Sequence, residues 1–234
     1  MIRAVLFDAA GTLIELNEPV GTSYARTADA HGIALDAQRV DTAFRAAFAE
    51  APPLLFPGAE GAELDALERG WWRDIVYTTF VGAAGDPDGG DFAACFDALY
   101  RGFASPESWR CAPGCLETLA TLRAGGLLCG VVSNFDRRLH ALLSGLGIAP
   151  HLELVVLPSD AGAAKPDPRI FQHALARLAL EPQAAVFVGD DPRADVAGAR
   201  AAGLHAIGIE SPATLRELPN HLAALQDAQP RSAP

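Results

Sequence analysis

The chain has 234 residues, half of them apolar and a fifth charged, which fits a globular protein with a sizeable buried core. Its formal net charge of −11 argues against a nucleic-acid partner, which requires a basic stripe or patch. No apolar run approaches the ~20 residues that a helix needs to cross a bilayer.

The first segment, Ile2–Asp8, is a short apolar run ending in an acid and reads as a buried strand. It becomes charged too soon to serve as a secretory leader. Cys95, Cys111, Cys115 and Cys129 form no C-x-x-C pair and have no histidine at zinc-ligand spacing. Both features point to a cytoplasmic protein with reduced thiols.

A stretch of about a hundred residues with a different rhythm comes next. Pro19–His31, Ala37–Ala51, Ala62–Phe80 and Phe92–Phe103 carry apolar residues at helical spacing. In the third, Leu64, Leu67, Trp71, Ile75 and Val76 are predicted to share one face. Trp71-Trp72 are expected at the core and edge of the resulting bundle. The breaks are Pro52-Pro53, Pro57-Gly58 and the Gly/Asp/Pro run over 85–90.

From Leu127 the rhythm changes again. Apolar runs Leu127–Ser133, Leu152–Pro158, Ala184–Gly189 and His205–Ile209 alternate with helical segments Arg137–Leu146, Pro168–Leu178 and Ala194–Ala202. Runs without period-two alternation belong to strands buried on both faces. The alternation predicts an α/β fold with a doubly wound, parallel, five-stranded Rossmann-like sheet. The expected organisation is a discontinuous core, 1–14 and 111–234, with an α-helical domain inserted over 15–110. The polar, proline-rich end, Asp227–Pro234, is expected to fray.

Four short segments carry chemistry. Phe7-Asp8-Ala9-Ala10-Gly11-Thr12 places a carboxylate at a strand's carboxyl edge, with Gly11 allowing a sharp turn away from it. A carboxylate there is a candidate nucleophile toward phosphorus. Val132-Ser133-Asn134 puts a small hydroxyl at a second strand end. Lys165-Pro166-Asp167-Pro168 holds the only lysine of the chain, just before a helix start; its charge can steady a nucleophile and a transferring phosphoryl group. Gly189-Asp190-Asp191, followed by Asp195, gathers carboxylates at another strand end, which is costly without a hard cation. Asp191 reads equally well as a helix N-cap.

In order and spacing these segments resemble the four motifs of the haloacid dehalogenase (HAD) superfamily. The insertion resembles the helical cap of its subfamily I. Trp71-Trp72, Ser133–Leu139 and Lys165–Phe171 resemble the REG-2-like branch. The resemblance implies a hydrolase of small phosphorylated molecules that uses Mg²⁺. Asp8 would be nucleophile and metal ligand, the carbonyl of Ala10 a second ligand and Asp190 a third. Ser133 and Lys165 would hold phosphoryl oxygens. Asn134 would bond the nucleophile or the substrate. Asp195 would order the metal loop or orient Lys165, with Asp191 and Thr12 in support.

One position departs from the family. Its phosphatases place a second aspartate two residues after the nucleophile, which protonates the leaving group and then activates water. Here that residue is Ala10. General acid/base help is worth ~10²–10⁴-fold, so alkyl phosphates should be poor substrates unless Glu15 or Glu18 substitutes. Acyl and aryl phosphates suffer less in the first step. Phosphonoacetaldehyde hydrolysis is excluded because it needs a cap lysine, and 2-haloacid dehalogenation fits poorly with clustered carboxylates. The alternative reading is a weakly catalytic protein that keeps Mg²⁺ and phosphate affinity for a regulatory purpose.

Overall fold

The computed structural model describes residues 1–83, 90–209 and 212–227. The chain divides into two compact units, Met1–Glu15 with Cys111–Pro234, and Leu16–Arg110. Strand β1 (Ala4–Phe7) is buried at all four residues, and β2 (Ile14–Leu16) comes after it.

Four helices then build the second unit: α1 (Val20–Asp29), α2 (Ala37–Glu50), α3 (Gly61–Gly82) and α4 (Phe92–Ala104). The side chains of Asp36 and Asp91 accept from the amides of Arg39 and Ala94 and so cap α2 and α4. Tyr24, Val40, Val76, Phe80, Phe96 and Leu99 lie in one buried cluster. The Tyr24 ring meets Phe44, Phe80 and Phe103 edge-on, a favoured aromatic geometry.

The buried face of α3 differs from the predicted one. Leu67 is 39% exposed, and Glu68 at 5% takes its place. The buried row follows the i, i+4 ridge from Leu64 through Glu68, and Leu67 falls beside it. Trp71 and Trp72 are half-buried at the edge of the bundle, their rings 4.9 Å apart, and the Trp71 indole donates to the Pro52 carbonyl at 2.8 Å.

Strand β3 (Trp109–Cys111) pairs with β2, and α5 (Cys115–Ala124) succeeds it. In this helix Leu119 and Leu122 share the buried face with Cys115 and Thr118, while Leu116 is 38% exposed. The remaining elements are β4 (Leu128–Val132), α6 (Arg138–Gly145), β5 (Leu154–Val156), α7 (Pro158–Ala161), α8 (Pro168–Leu178), β6 (Ala185–Gly189), α9 (Gly198–Ala201), β7 (His205–Gly208) and α10 (Leu218–Asp227). All five predicted strands are present. The helix expected over Ala194–Ala202 is instead a wide π-helical turn, Pro192–Ala197, running into the short α9. Most of the glycine- and proline-rich break (84–89) and of the terminal tail (228–234) lies outside the described residues. Among the described residues no helix is long and apolar enough to cross a membrane.

The five-stranded sheet is parallel throughout, in the order β5-β4-β1-β6-β7. Phe7 lies opposite both Val131 and Val188, so the central strands end level. The chain runs outward from β1 through β4 and β5, then returns to the other side of β1 for β6 and β7. That reversal opens a crevice at the carboxyl ends, where doubly wound sheets hold ligands. Leu6, Val132, Val156, Ile170, Phe171 and Phe187 pack beneath it.

All four cysteines are free thiols. Burial pushes Cys95 and Cys129 up to about 11 and Cys115 up to about 12, and raises Cys111 as well. Because the thiolate is the nucleophile, the folded chain should resist alkylation. With iodoacetamide near pH 8, peptide mass spectrometry should find half-buried Cys111 modified first and the other three only after denaturant is added. Rapid labelling of Cys95, Cys115 or Cys129 in the folded protein would contradict this packing.

Candidate active site

The loops leaving β1, β4 and β6, with the segment before α8, bring the candidate residues to one edge. Asp8 comes directly after β1 and its amide donates to the Val188 carbonyl at 2.9 Å. It is 8% exposed. The turn after it is tight: the Ala9 carbonyl accepts from the amides of Thr12, Leu13 and Ile14. The bridge between Ala10 and Ile14 runs through the Ala9 carbonyl and the Gly11 amide, which leaves the Ala10 carbonyl out of it. Gly11 has φ +86°, and a Cβ there would lie 2.5 Å from Oδ2 of Asp190. Only glycine combines this backbone with so close an approach.

Lys165 is the hub. Its ammonium donates to Oδ1 of Asp8 and to Oδ1 of Asp195, both at 2.6 Å. It also lies 5.2 Å from the centre of the Phe187 ring, a favourable cation–π placement. Oδ2 of Asp195 accepts from the Asp191 amide at 3.1 Å, so both its oxygens are engaged. A Cβ at Gly189 would stand 2.2 Å from that same oxygen, so the carboxylate packs directly on the strand backbone. The π-helical turn carries Asp195 back to this position; such turns recur at functional sites.

Oxygens of Asp8, Asp190 and Asp195 lie within 4.8 Å of one another. Thr12, fully buried, donates weakly to Asp190 at 3.4 Å. Two carboxylates thus pair with one ammonium, and a third lies close beside them. Burial and then the Asp8 charge raise Asp190 above the usual carboxylate range. Burial raises Asp195 too, with Lys165 opposing. For Lys165, burial alone acts downward, but attraction to Asp8 and Asp195 outweighs it and the net shift is upward. Burial first, and then like charge nearby, moves Asp190 and Asp195 toward holding protons, while Lys165 keeps its proton through its two carboxylate partners.

Ser133 ends β4 at 3% exposure, its amide bonded to the Val156 carbonyl. Its hydroxyl has no hydrogen-bond partner among the described residues. One expectation needs correction. Asn134 does not bond the nucleophile: its amide donates to the Lys165 carbonyl at 2.9 Å and accepts from the Lys165 amide at 2.7 Å. It positions the lysine from behind. Asp191 takes the helix N-cap role that was one of its two readings, accepting from the amides of Arg193 and Ala194 at 2.7 Å.

Sequence reasoning assigned no role to Asp136 or Phe187. Asp136 is fully buried and forms a two-pronged ion pair with Arg138, which pins the turn after Ser133. Its signal was an acid two residues before an arginine just past a strand end. Phe187 had none, because a phenylalanine in a buried strand reads as core.

The haloacid dehalogenase-like hydrolase family profile matches residues 2–203. The chain belongs to this family. Mouse haloacid dehalogenase-like hydrolase domain-containing protein 3 is 42% identical over 204 residues, covering 87% of this chain and 80% of the mouse protein. A phosphoserine phosphatase of Thermus thermophilus is 31% identical over 186 residues, 74% of each chain. Among solved structures, the defluorinating L-2-haloacid dehalogenase Rha0230 superposes with a TM-score of 0.70 at 25% identity, covering 90% of this chain and 82% of that one. HAD relatives thus span phosphate and halide chemistry, and the choice between them falls to the residues around Asp8.

Replacing Lys165 by Met would leave Asp8 and Asp195 buried without their counter-charge. The expected cost is about 3–5 kcal/mol, the usual penalty for removing one partner of a buried ion pair. Urea unfolding should show a lower midpoint with unchanged slope. A midpoint equal to the parent's would mean the ammonium does not hold the cluster together.

Proposed function

We propose that this hydrolase is a magnesium-dependent phosphatase acting on small phosphorylated molecules, with Asp8 as nucleophile. The observation that carries the reading is the gathering of Asp8, Asp190 and Asp195 around a single lysine. The same surplus of negative charge supports the metal. The donors are all oxygens, as magnesium prefers, and a divalent ion would balance what one ammonium leaves over. Asp8, the Ala10 carbonyl and Asp190 would hold it, Asp195 being occupied by Lys165 and the Asp191 amide. When bound, it would neutralise charge on the carboxylates and on the phosphoryl oxygens.

The chain's own groups divide the remaining work. Lys165 fixes Oδ1 of Asp8, which leaves Oδ2 to attack phosphorus. The ammonium and the Ser133 hydroxyl then take phosphoryl oxygens as charge shifts onto them. Asn134 and Asp195 act through Lys165, one holding its backbone and the other its ammonium. We assign the helical unit, Leu16–Arg110, the role of a substrate-selecting cap. The buried, reduced thiols support a cytoplasmic setting.

Halide displacement gains nothing from three gathered acids, so the chemistry named for the Rha0230 dehalogenase is disfavoured here. A binding or regulatory protein is a second reading, favoured by the methyl group at position 10.

The discriminating assay measures phosphate release from acetyl phosphate and p-nitrophenyl phosphate, with and without Mg²⁺. Release should need Mg²⁺ and vanish in Asp8→Asn, while Asp190→Asn should stay inactive even in excess Mg²⁺. Ala10→Asp should raise turnover of p-nitrophenyl phosphate by ~10²–10⁴-fold. Magnesium at ~100 times its Kd should stabilise the parent by about 2.7 kcal/mol, and Asp190→Asn not at all. An inert parent that Ala10→Asp brings to life would favour the binding reading; equal rates for parent and Asp8→Asn would end the hydrolytic one.

A further inference from the structure

Two of the four cysteines, Cys111 and Cys115, flank the segment Ala112-Pro113-Gly114. Proline followed by glycine suits a type II turn, whose third residue takes a positive φ. Gly114 has φ 81° and ψ 1°, and the Cys115 amide donates to the Ala112 carbonyl at 3.0 Å, closing that turn. The Ala112 amide is held in its turn by the Leu13 carbonyl at 2.8 Å. The chain reversal sets the last residue of β3 against the first residue of α5, and their two thiols hydrogen-bond to each other. The Cys111 thiol donates to the Leu146 carbonyl at 3.5 Å, so the hydrogen between the sulfurs comes from Cys115.

The two thiols are unequal. Cys111 is half-buried, whereas Cys115 is 1% exposed. Burial raises both, but the hydrogen bond from Cys115 partly offsets this at Cys111. At Cys115, charge and hydrogen bonding at Cys111 add to the effect of burial. Cys111 is therefore the sulfur that ionises first and meets solvent first. Once its sulfur carries an oxygen, the thiolate that opposes ionisation of Cys115 is gone. Cys95 and Cys129 are fully buried, and the charged groups acting on them are Asp91 for one and Arg123 with Glu153 for the other. Neither has a second thiol beside it among the described residues.

We propose that Cys111 and Cys115 are a peroxide-responsive dithiol that closes into a disulfide across this turn. The Cys111 thiolate attacks one oxygen of hydrogen peroxide. An S–O bond forms as the O–O bond breaks, and the departing oxygen takes the electron pair and the thiol proton away as water. The Cys115 sulfur then attacks the oxidised Cys111 sulfur. The S–S bond forms as the S–O bond breaks, and that oxygen leaves with the Cys115 proton as a second water. Two thiols and one peroxide thus become one disulfide and two waters, with two electrons passing from sulfur to oxygen. The raised thiols make the reaction slow, so the pair stays reduced until peroxide is supplied. A dithiol reductant reverses it by exchange. The bond ties β3, the strand through which the chain passes from the helical unit into the sheet unit, to the first turn of α5. None of this depends on the hydrolase reading.

The experiment treats the reduced full chain with excess hydrogen peroxide, blocks free thiols with N-ethylmaleimide in denaturant and maps tryptic peptides by mass. Both cysteines fall in one peptide, residues 111–123, which should lose two hydrogen atoms, take no maleimide and recover both thiols in dithiothreitol. Cys115→Ala of unchanged circular dichroism should instead stop at a sulfenic acid on Cys111, captured by dimedone. Cys111→Ala, at the half-buried position, should give neither link nor dimedone adduct, and it tests the order of attack even where Cys115→Ala does not fold. Amide exchange over residues 109–116 should slow in the oxidised chain and recover on reduction; closure with unchanged exchange would overturn the tie. A link through Cys95 or Cys129, or a sulfinic acid on Cys111 beside a free Cys115, would overturn the pairing. So would four free thiols after an admixed cysteine peptide has been fully oxidised.

Discussion

Two buried carboxylates share one ammonium at the edge of a parallel sheet with an exposed third, Asp190, close by, and the rest of this region is arranged around that imbalance. A surplus of like charge in a poorly solvated place is tolerated only when hydrogen bonds and counter-charge restrain it. Lys165 supplies two contacts of 2.6 Å, the Asp191 amide a third, and Thr12 a weak fourth. The glycines at 11 and 189 let the backbone come close enough for these contacts to form. A side chain at either position would push an aspartate out of the cluster.

The sheet makes that convergence possible. Residues distant in sequence reach one edge because Phe7 is level with Val131 on one side and Val188 on the other. The connections leaving the three strands differ in kind: a tight turn after β1, an ion-paired turn after β4 and a π-helical turn after β6. The difference has a physical purpose. Each turn places a different oxygen or hydroxyl at a common point, and a uniform connection would place them in parallel rows.

Much of this was legible in the sequence, and the remainder was hidden for identifiable reasons. The five strands could be read because burial on both faces leaves unbroken apolar runs such as Ala4-Val5-Leu6-Phe7. The four chemical segments were visible because each sits where such a run ends or a helix begins. Asn134 was assigned to the ligand side because spacing says which residues are near, and not which way an amide turns; the structure turns it onto the Lys165 backbone. Asp191 and Asp195 look alike in sequence, yet one caps a helical turn while the other reaches back to the lysine. The π-helical turn separates them, and a helical wheel drawn at ordinary pitch does not contain it. Leu67 and Glu68 exchanged places for a related reason, since hydrophobicity ranked them while the i, i+4 ridge decided.

Position 10 separates two tasks that one residue can perform together. Its carbonyl belongs to the backbone and survives any substitution, so charge compensation at the cluster does not depend on which side chain stands there. Proton transfer depends on the side chain alone. A methyl group at this point therefore preserves the electrostatic half of the site and removes the acid–base half. The structure is consistent with that division: Ala10 sits in the same tight turn that fixes Asp8, its carbonyl free of the adjoining bridge. Under the proposed phosphatase reading, such a site would distinguish phosphoryl donors by how well their leaving groups carry negative charge unaided.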